Sequence, residues 1–509
     1  MNGDKIMTIK QLTCQTAALL SCAVIGAEEP RFPEFGTLPP ELLFPRHAKL
    51  TADEHGNLLV NGKKRFLIGT EIGIQQLAGD LEPSIGYADR YKWLYEEPLT
   101  YENAQRLGLD TISVFTPDWW IRKIEPAFKP QLFRSRKNRA MIRQVLGNGL
   151  PIIADYTCFP WRHGGLTRPE LRHLLPEEAF NKYNTGSGNH WVPYNIFHPE
   201  ARKIYRRYWQ DGAEFMKQNG ANVLAYELFN EPAYNDPSPY NRALFARFLK
   251  AKYNTPEAMN RTWRTRYVSF EEAANVPEFI RTPGLAVDWG KFLEKGFTEL
   301  AKYGCEAIRE VDPHARITFQ TLGFSNYRSL PATNINIWEI NRFMDVISTS
   351  TVGGIYVESA FSEPPPVSVE APSNPTSIGE GILERHFYRN CAADGKIIVN
   401  PEAYVSRNPA VLRGKIWLDL LRGGSIDNFF TWQKRAWDYK FDGKRAHEIA
   451  EKFPYMLLIP QATPTGLLTE FLKAKREIQE YGEFFIPKEL RPKAEIALLI
   501  SFPTERYGA

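Results

Sequence analysis

The chain has 509 residues, of which 43% are hydrophobic and 24% charged, a balance typical of a globular protein that buries a large core. Its 63 Lys and Arg residues nearly match its 59 Asp and Glu residues, and like charges form no runs, so nucleic acid is not an expected partner. Trp and Tyr are numerous, at 12 and 23, and their flat apolar faces with polar edges suit carbohydrate binding.

Residues 1–27 have the order of a secretory signal. Two lysines precede a mainly apolar stretch over residues 12–25, which ends in small residues at Gly26-Ala27. The stretch is too short to span a membrane as a helix, so no membrane span is predicted. The pattern predicts a secreted or periplasmic protein, and a lipoprotein with its lipid on Cys22 is the alternative.

Three cysteines remain after this segment: Cys158, Cys305 and Cys391. They are widely spaced, so the sequence predicts buried thiols and no disulfide framework or zinc site. The nine histidines include no His-x-His or His-Glu-x-x-His pattern, which argues against a metal-dependent hydrolase. No metal or other cofactor is expected.

The chain beyond the signal is predicted to have three parts. Residues 28–64 contain a Pro-rich lead and a β-hairpin, with an Asn-Gly turn between short apolar runs. Residues 65–482 form the main domain. Residues 483–509 begin a small C-terminal domain that contains a strand over residues 494–501.

Eight apolar runs bounded by turn signals predict buried parallel strands in the main domain. They cover residues 66–69, 111–115, 152–156, 223–229, 317–321, 346–349, 397–400 and 428–432. Helical patterns lie between most of them, clearest at 199–218 and 292–311, and a helix from 466 to about 481 follows the last strand.

This alternation predicts a (β/α)8 TIM barrel with long insertions after strands 3, 4 and 6, over residues 157–198, 234–287 and 359–375. The competitor is an open doubly wound sheet, but no Gly-rich phosphate loop follows the first strand. The insertions follow strands, so they would lie on the face where barrel active sites form.

The motif Asn230-Glu231-Pro232 stands at the end of the fourth predicted strand. Pro232 cannot donate the next ladder hydrogen bond, so the strand must end there and Glu231 would project from the barrel mouth. Helix capping is the alternative role of this glutamate. Glu227, four residues earlier on the same strand, would point the same way but lie deeper in the barrel.

A second glutamate, Glu402, follows the apolar run of the seventh strand. Its rivals lie in loops or helix without such a run before them, at Glu358, Glu363, Glu370, Glu380 and Glu384. Strands four and seven face each other across a barrel mouth. Hydrolysis of a glycosidic bond with retention needs one carboxylic acid and one carboxylate nucleophile held about 5 to 5.5 Å apart.

The sequence resembles the retaining (β/α)8 glycoside hydrolases of clan A, whose members place an Asn-Glu pair at the end of strand four and a nucleophilic Glu at the end of strand seven. Within the clan it resembles the family 42 β-galactosidases. The residues that carry the likeness to that family lie at 248–253, 259–263, 287–289, 423–425 and 429–433. Pro232 is more typical of the clan's endoglucanases and mannanases, and the zinc-binding cysteine cluster of many family 42 enzymes is missing.

The resemblance implies a β-linked oligosaccharide or polysaccharide as substrate, Glu231 as the general acid/base and Glu402 as the nucleophile. It further implies that Asn230 binds the sugar 2-hydroxyl, that Trp432 forms the aromatic floor of the subsite, and that Tyr356 hydrogen-bonds the nucleophile. Other strand-end and loop residues are expected to line the cleft as a group, among them Glu71, Trp119 and Trp161.

Two alternative functions and the state of assembly stay open at the level of sequence. One is an endo-β-glucanase or β-mannanase of the same clan, since exo or endo action depends on whether the mouth is a pocket or a groove. The second, from another class, is a barrel that binds glycans without catalysis, although both glutamates argue against it. As for assembly, a homo-oligomer is compatible with the sequence.

Overall fold

The computed structural model describes most of the barrel. The described residues are 43–73, 100–115, 143–156, 175–181, 192, 194–275, 282–320, 333–349, 388, 395–404, 409–430 and 466–486. The predicted signal at residues 1–27 and the predicted C-terminal strand at 494–501 therefore lie outside the described residues, and both stay predictions. No helix within the described ranges is long and apolar enough to cross a membrane.

The N-terminal hairpin is a small antiparallel sheet of strands β1 (Leu50–Ala52), β2 (Leu58–Val60) and β3 (Lys63–Lys64). The two-residue turn between β2 and β3 consists of Asn61 and Gly62, whose φ angles are 50° and 80°. Asn and Gly are the residues that tolerate positive φ at both central positions of a type I′ turn. The predicted Asn-Gly turn is confirmed.

The second sheet has eight parallel strands, β4 to β11, which correspond one to one with the eight predicted runs. Their bounds are Leu67–Gly73, Thr111–Phe115, Pro151–Asp155, Asn222–Glu227, Ile317–Thr318, Val346–Ser348, Ile397–Tyr404 and Ile426–Phe430. The order across the sheet is β8-β7-β6-β5-β4-β11-β10-β9.

The outermost strands β8 and β9 meet each other and close the sheet. The hydroxyl of Thr318 donates to the carbonyl of Val346 at 2.9 Å, and the backbone N–H of Asp345 donates to the carbonyl of Ile317 at the same distance. The fold is therefore the predicted (β/α)8 barrel rather than an open sheet. The strands are apolar runs because helices cover them on the outside and side chains fill them on the inside.

Nine α-helices are described. They are α1 (Tyr101–Arg106), α2 (Pro199–Gln218), α3 (Pro239–Tyr253), α4 (Pro256–Trp263), α5 (Phe270–Ala274), α6 (Pro283–Arg309), α7 (Ile337–Asn341), α8 (Pro409–Leu421) and α9 (Gly466–Phe485). A 3₁₀ turn covers Glu177–Ala179.

Helix α2 has the predicted bounds, and its first residue is a proline, which fits the first turn because that turn needs no backbone donor. Helix α6 begins at Pro283, whereas the periodicity predicted residue 292. The earlier start has the same physical basis, since Pro283 suits the first turn, and Leu285 and Trp289 extend the buried face of the helix toward its N-terminus.

Aromatic packing behind β7 anchors the strand end that carries the Asn-Glu pair. The ring of Phe229 lies edge-on to Trp209 of α2, with centroids 5.6 Å apart, and 5.2 Å from the ring of Phe297 in α6. The indole N–H of Trp209 donates to the carbonyl of Leu228 at 3.4 Å. This layer therefore fixes the backbone immediately before Asn230.

Candidate active site

Glu231 lies four residues beyond the last residue of β7, in a backbone conformation that is uncommon for a side-chain-bearing residue. Its φ is 45°, in the left-handed region. Its N–H donates to the carbonyl of Gln320 at 3.1 Å, and the N–H of Gln320 donates to the carbonyl of Phe229 at 3.1 Å. These two bonds to the chain after β8 hold Glu231 in a conformation of the kind that clusters at functional sites.

Glu402 lies in a β-bulge of β10. Asn400 pairs with Asp427 of β11 and Ala403 pairs with Phe429, so β10 has one more residue than its neighbour between these pairs. Pro401 and Glu402 occupy the irregular stretch, where the missing N–H of a proline disrupts no regular ladder. Bulges re-aim side chains next to active sites. The sequence predicted a strand end at residue 400, whereas the bulge lets β10 continue to Tyr404.

Two amides converge on one oxygen of Glu402. The side chain of Asn230 donates from Nδ2 to Glu402 Oε2 at 2.9 Å, and Gln320 donates from Nε2 to the same oxygen at 3.1 Å. The ends of strands four, five and seven of the barrel thus meet at one carboxylate. Glu231 and Glu402 are each 7% exposed, so both are buried yet retain some solvent access.

The sequence pattern does not identify Gln320 as a site residue. It falls within the predicted fifth strand, residues 317–321, although the observed β8 ends at Thr318. A polar side chain two residues beyond the end of β8 is the signal that could have identified it, because strand ends carry the functional side chains of a barrel.

Glu71 and Glu227 extend the site into an acidic cluster. Burial raises the pKa of Glu71 well above its usual range, and the charges of Glu402, Asp155 and Glu231 raise it further. Burial likewise raises the pKa of Glu227 well above its usual range, with contributions from Asp155, Glu402, Glu71 and Glu231. Glu231 and Glu402 therefore lie close enough for their charges to raise the pKa values of the same two carboxyl groups, those of Glu71 and Glu227.

Glu227 lies deep in the barrel, as its position four residues before Glu231 predicted. It is fully buried, and its carboxyl oxygens have no hydrogen-bond partner within the described part of the chain. Its neighbour across the β6–β7 pair is Asp155. These surroundings favour the neutral form of the carboxyl group, because an isolated charge would lose its hydration without compensation.

Among the described residues, no group of three or more His, Cys, Asp or Glu side chains could hold a metal ion. Cys305 is buried in α6, as predicted, and burial raises the pKa of its thiol to about 12. Cys158 and Cys391 lie outside the described residues.

Several predicted cleft residues lie outside the described residues as well: Trp432, Tyr356, Trp119 and Trp161. Their roles stay predictions. Glu71, by contrast, is brought to the barrel interior beside the two glutamates, at 6% exposure.

Comparison with known proteins points to one family. The β-galactosidase model of glycoside hydrolase family 42 matches residues 168–369, a stretch that includes Asn230 and Glu231. The chain is 25% identical over 187 residues to the β-galactosidase BglY of Alicyclobacillus acidocaldarius, a match over 35% of this chain and 25% of that protein. The predicted likeness to family 42 is confirmed.

Solved structures with the same fold include family 42 proteins. Gan42B, a family 42 β-galactosidase from G. stearothermophilus solved as a catalytic mutant, superposes with a TM-score of 0.61 at 15% identity, over 92% of this chain and 62% of that one. A β-galactosidase from Marinomonas ef1 gives 0.56 at 17% identity, over 83% and 61% of the two chains. A family 42 exo-carrageenase from Bacteroides ovatus gives 0.55 at 15% identity, over 94% and 58%.

The chain thus spans about three fifths of the length of these solved relatives, and the match to the curated relative covers a quarter of that protein. At these identities the superpositions establish the barrel fold, and the family 42 likeness itself comes from the sequence matches.

Proposed function

We propose that the protein is a retaining β-glycoside hydrolase of the β-galactosidase type, with Glu231 as general acid/base and Glu402 as nucleophile. The observation that carries this proposal is the pair of amides, Asn230 and Gln320, that donate to Oε2 of Glu402 beside Glu231. Amide N–H groups stabilise the ionised form of the carboxylate they bind, which is the form a nucleophile needs.

The two glutamates have different surroundings, as double displacement requires. Glu402 accepts two amide hydrogen bonds, whereas Glu231 shares an acidic cluster with it. We expect the ionised Glu402 to keep the proton on Glu231 until the leaving oxygen takes it. Once Glu402 has become an ester its negative charge is gone, and Glu231 can then accept a proton from water.

In the first step Glu402 attacks the anomeric carbon while Glu231 protonates the departing oxygen. In the second step water attacks the same carbon, gives its proton to Glu231 and displaces Glu402. Two inversions give net retention.

Asn230 has a free acceptor for the substrate. Its Nδ2 is bound to Glu402, whereas its Oδ1 is buried and has no hydrogen-bond partner in the described part of the chain. A substrate hydroxyl is the natural donor to such an oxygen, which fits the predicted contact with the sugar 2-hydroxyl.

The family 42 likeness favours a β-linked galactoside over the glucan and mannan alternatives. A barrel that binds glycan without catalysis is also not favoured, because simple binding would not require two buried glutamates and two amides directed at one carboxylate oxygen.

The test compares nitrophenyl β-galactoside, β-glucoside and β-mannoside with a panel of oligosaccharides. We expect the β-galactoside to be cleaved with retention. Glu402→Ala should abolish turnover, and azide should restore it with an inverted glycosyl azide as product. Glu231→Ala should lose about 10²- to 10⁴-fold on substrates that need an acid, and azide should give a retained product.

The control is Glu54→Ala, an exposed glutamate of the N-terminal hairpin, which should leave the rates unchanged. If azide instead gives inversion at Glu231→Ala and retention at Glu402→Ala, the two roles are exchanged. If the wild type binds glycans yet cleaves none of them, the hydrolase proposal is wrong.

We also propose that the enzyme is exported, on the basis of the signal-like order in residues 1–27. Mass spectrometry of the mature N-terminus would find a start at residue 28 after cleavage, or a lipid on Cys22 in the lipoprotein alternative. An unprocessed N-terminus on protein from the native cell would contradict both.

A further inference from the structure

Gln320 contacts both proposed catalytic residues. Its side-chain amide donates to Oε2 of Glu402 at 3.1 Å, and its backbone carbonyl accepts from the N–H of Glu231 at 3.1 Å. Its own N–H is bound to the carbonyl of Phe229, and the residue is 1% exposed. Gln320 is therefore held by hydrogen bonds both at its backbone and at its side-chain amide.

We propose that Gln320 is a positioning residue that couples the two glutamates, because its backbone holds the left-handed Glu231 while its amide binds Oε2 of Glu402, so that Oε1 is assigned as the oxygen that attacks the sugar. This inference rests on the proposed function. It gives the fifth strand of the barrel, from which the sequence predicted no catalytic contribution, a defined part in the reaction.

The amide of Gln320 interacts differently with the two states of Glu402. When Oε1 bonds to the anomeric carbon, the pair of the broken glycosidic bond goes to the leaving oxygen, which takes the proton of Glu231. Oε2 then becomes the carbonyl oxygen of a neutral ester, a weaker acceptor than a carboxylate oxygen. In the second step the pair of the bond between Oε1 and the anomeric carbon returns to Glu402, and charge returns to Oε2.

The hydrogen bond from Gln320 therefore strengthens as the ester breaks. An interaction that is stronger in the transition state than in the preceding state accelerates that step. The principal expected contribution of Gln320 is to the second step, in which Glu402 is the leaving group.

The test is Gln320→Met, which keeps the length of the side chain and the backbone contacts with Glu231 and Phe229 but removes the donor. On a dinitrophenyl β-galactoside, whose leaving group needs little acid assistance, we expect kcat to fall by about 10-fold and KM to fall with it, because ester accumulates. A rapid burst of dinitrophenol should precede the slow steady state. The acidic limb of the pH profile of kcat/KM should move to higher pH by about one pH unit.

The matched control is Gln105→Met. Gln105 is also buried, at 4% exposure, but it accepts from the N–H of Phe44 at 2.6 Å and donates to the carbonyl of Leu109 at 2.9 Å, both backbone groups without charge. This variant should lose stability without a change in KM, in the burst or in the acidic limb. A purely structural Gln320 would behave in the same way as Gln105, and that result would overturn the inference.

A measurement without substrate separates this inference from the proposed function. Because the amide stabilises the ionised form of Glu402, the difference in Tm between wild type and Gln320→Met should be largest near neutral pH and narrow as Glu402 is protonated at acidic pH. The difference for Gln105→Met should not vary with pH. If the wild type cleaves no glycoside, the proposed function fails, and the pH dependence of the Tm difference then decides whether Gln320 stabilises the ionised Glu402.

Discussion

The neutral carboxyl group of Glu227 should make the protein less stable as the pH rises. Burial raises the pKa of Glu227 well above its ordinary value of 4.5, and the charges of Asp155, Glu402, Glu71 and Glu231 raise it further. In the unfolded chain the same group ionises near that ordinary value. Between the two pKa values the folded state binds one more proton at Glu227 than the unfolded state does. The contribution of Glu227 to the unfolding free energy is therefore fully present below pH 4.5 and is lost as the pH rises toward the folded pKa.

The substitution Glu227→Gln removes this dependence, because a glutamine has nearly the same shape as the protonated glutamate and never ionises. Each pH unit between the ordinary and the raised pKa corresponds to about 1.4 kcal/mol of unfolding free energy. Glu227 is fully buried and its oxygens have no hydrogen-bond partner in the described residues, so solvent screening reduces this slope little. The variant should therefore match the wild type near pH 4.5 and become progressively more stable than it above that pH.

Urea unfolding at half-unit steps from pH 4.5 to 8 would measure the effect, with the free energy difference between variant and wild type plotted against pH. The matched control is Glu257→Gln, at an exposed glutamate in the first turn of α4, for which the plot should be flat. A flat plot for Glu227→Gln would mean that Glu227 is ionised in the folded protein. The neutral state expected for the carboxyl group beneath Glu231 and Glu402 would then be wrong.

Two further predictions concern packing around the barrel. Gly212→Ala in α2 would place a Cβ 2.7 Å from the ring of buried Tyr156. We expect this contact to force the helix outward and to lower the unfolding free energy by about 1 to 3 kcal/mol. A thermal melt would detect the loss, and an unchanged Tm would contradict the tight contact. Lys475→Met in α9 removes the buried ammonium that lies 2.7 Å from both Asp110 and the carbonyl of Gly108. The unfolding free energy measured in urea should fall by about 3 to 5 kcal/mol, because the charge of Asp110 is left unpaired, and adding Asp110→Asn should restore part of it. No recovery in the double variant would mean that the lost charge pairing is not the cause.

The main architecture of this barrel could be predicted from local patterns. Parallel strands covered on both faces are continuous apolar runs, and each of the eight runs is a barrel strand. Both ends of helix α2 could be predicted, because Pro199 and the spacing of the apolar residues in the helix are local signals. The hairpin turn at Asn61 and Gly62 is equally local, since the backbone preferences of these two residues decide it.

Strand ends were less predictable where tertiary hydrogen bonds decide them. The fourth strand was predicted to reach residue 229, whereas β7 ends at Glu227, and the chain beyond it hydrogen-bonds to the last residue of β8 and to the segment that follows β8. No local signal marks that change, because the partner backbone is about 90 residues away in the chain, at Thr318 and Gln320.

The positions of Glu231 and Glu402 followed from the sequence alone, because each glutamate comes after an apolar run and strand ends of a barrel share one face. Tertiary structure decided the rest: the bulge that presents Glu402, the left-handed conformation of Glu231, the second amide from Gln320, and the raised pKa of Glu227. Each of these depends on groups from different strands at short range. Hydrogen bonding and desolvation act between spatial neighbours, which a linear pattern of residues does not specify.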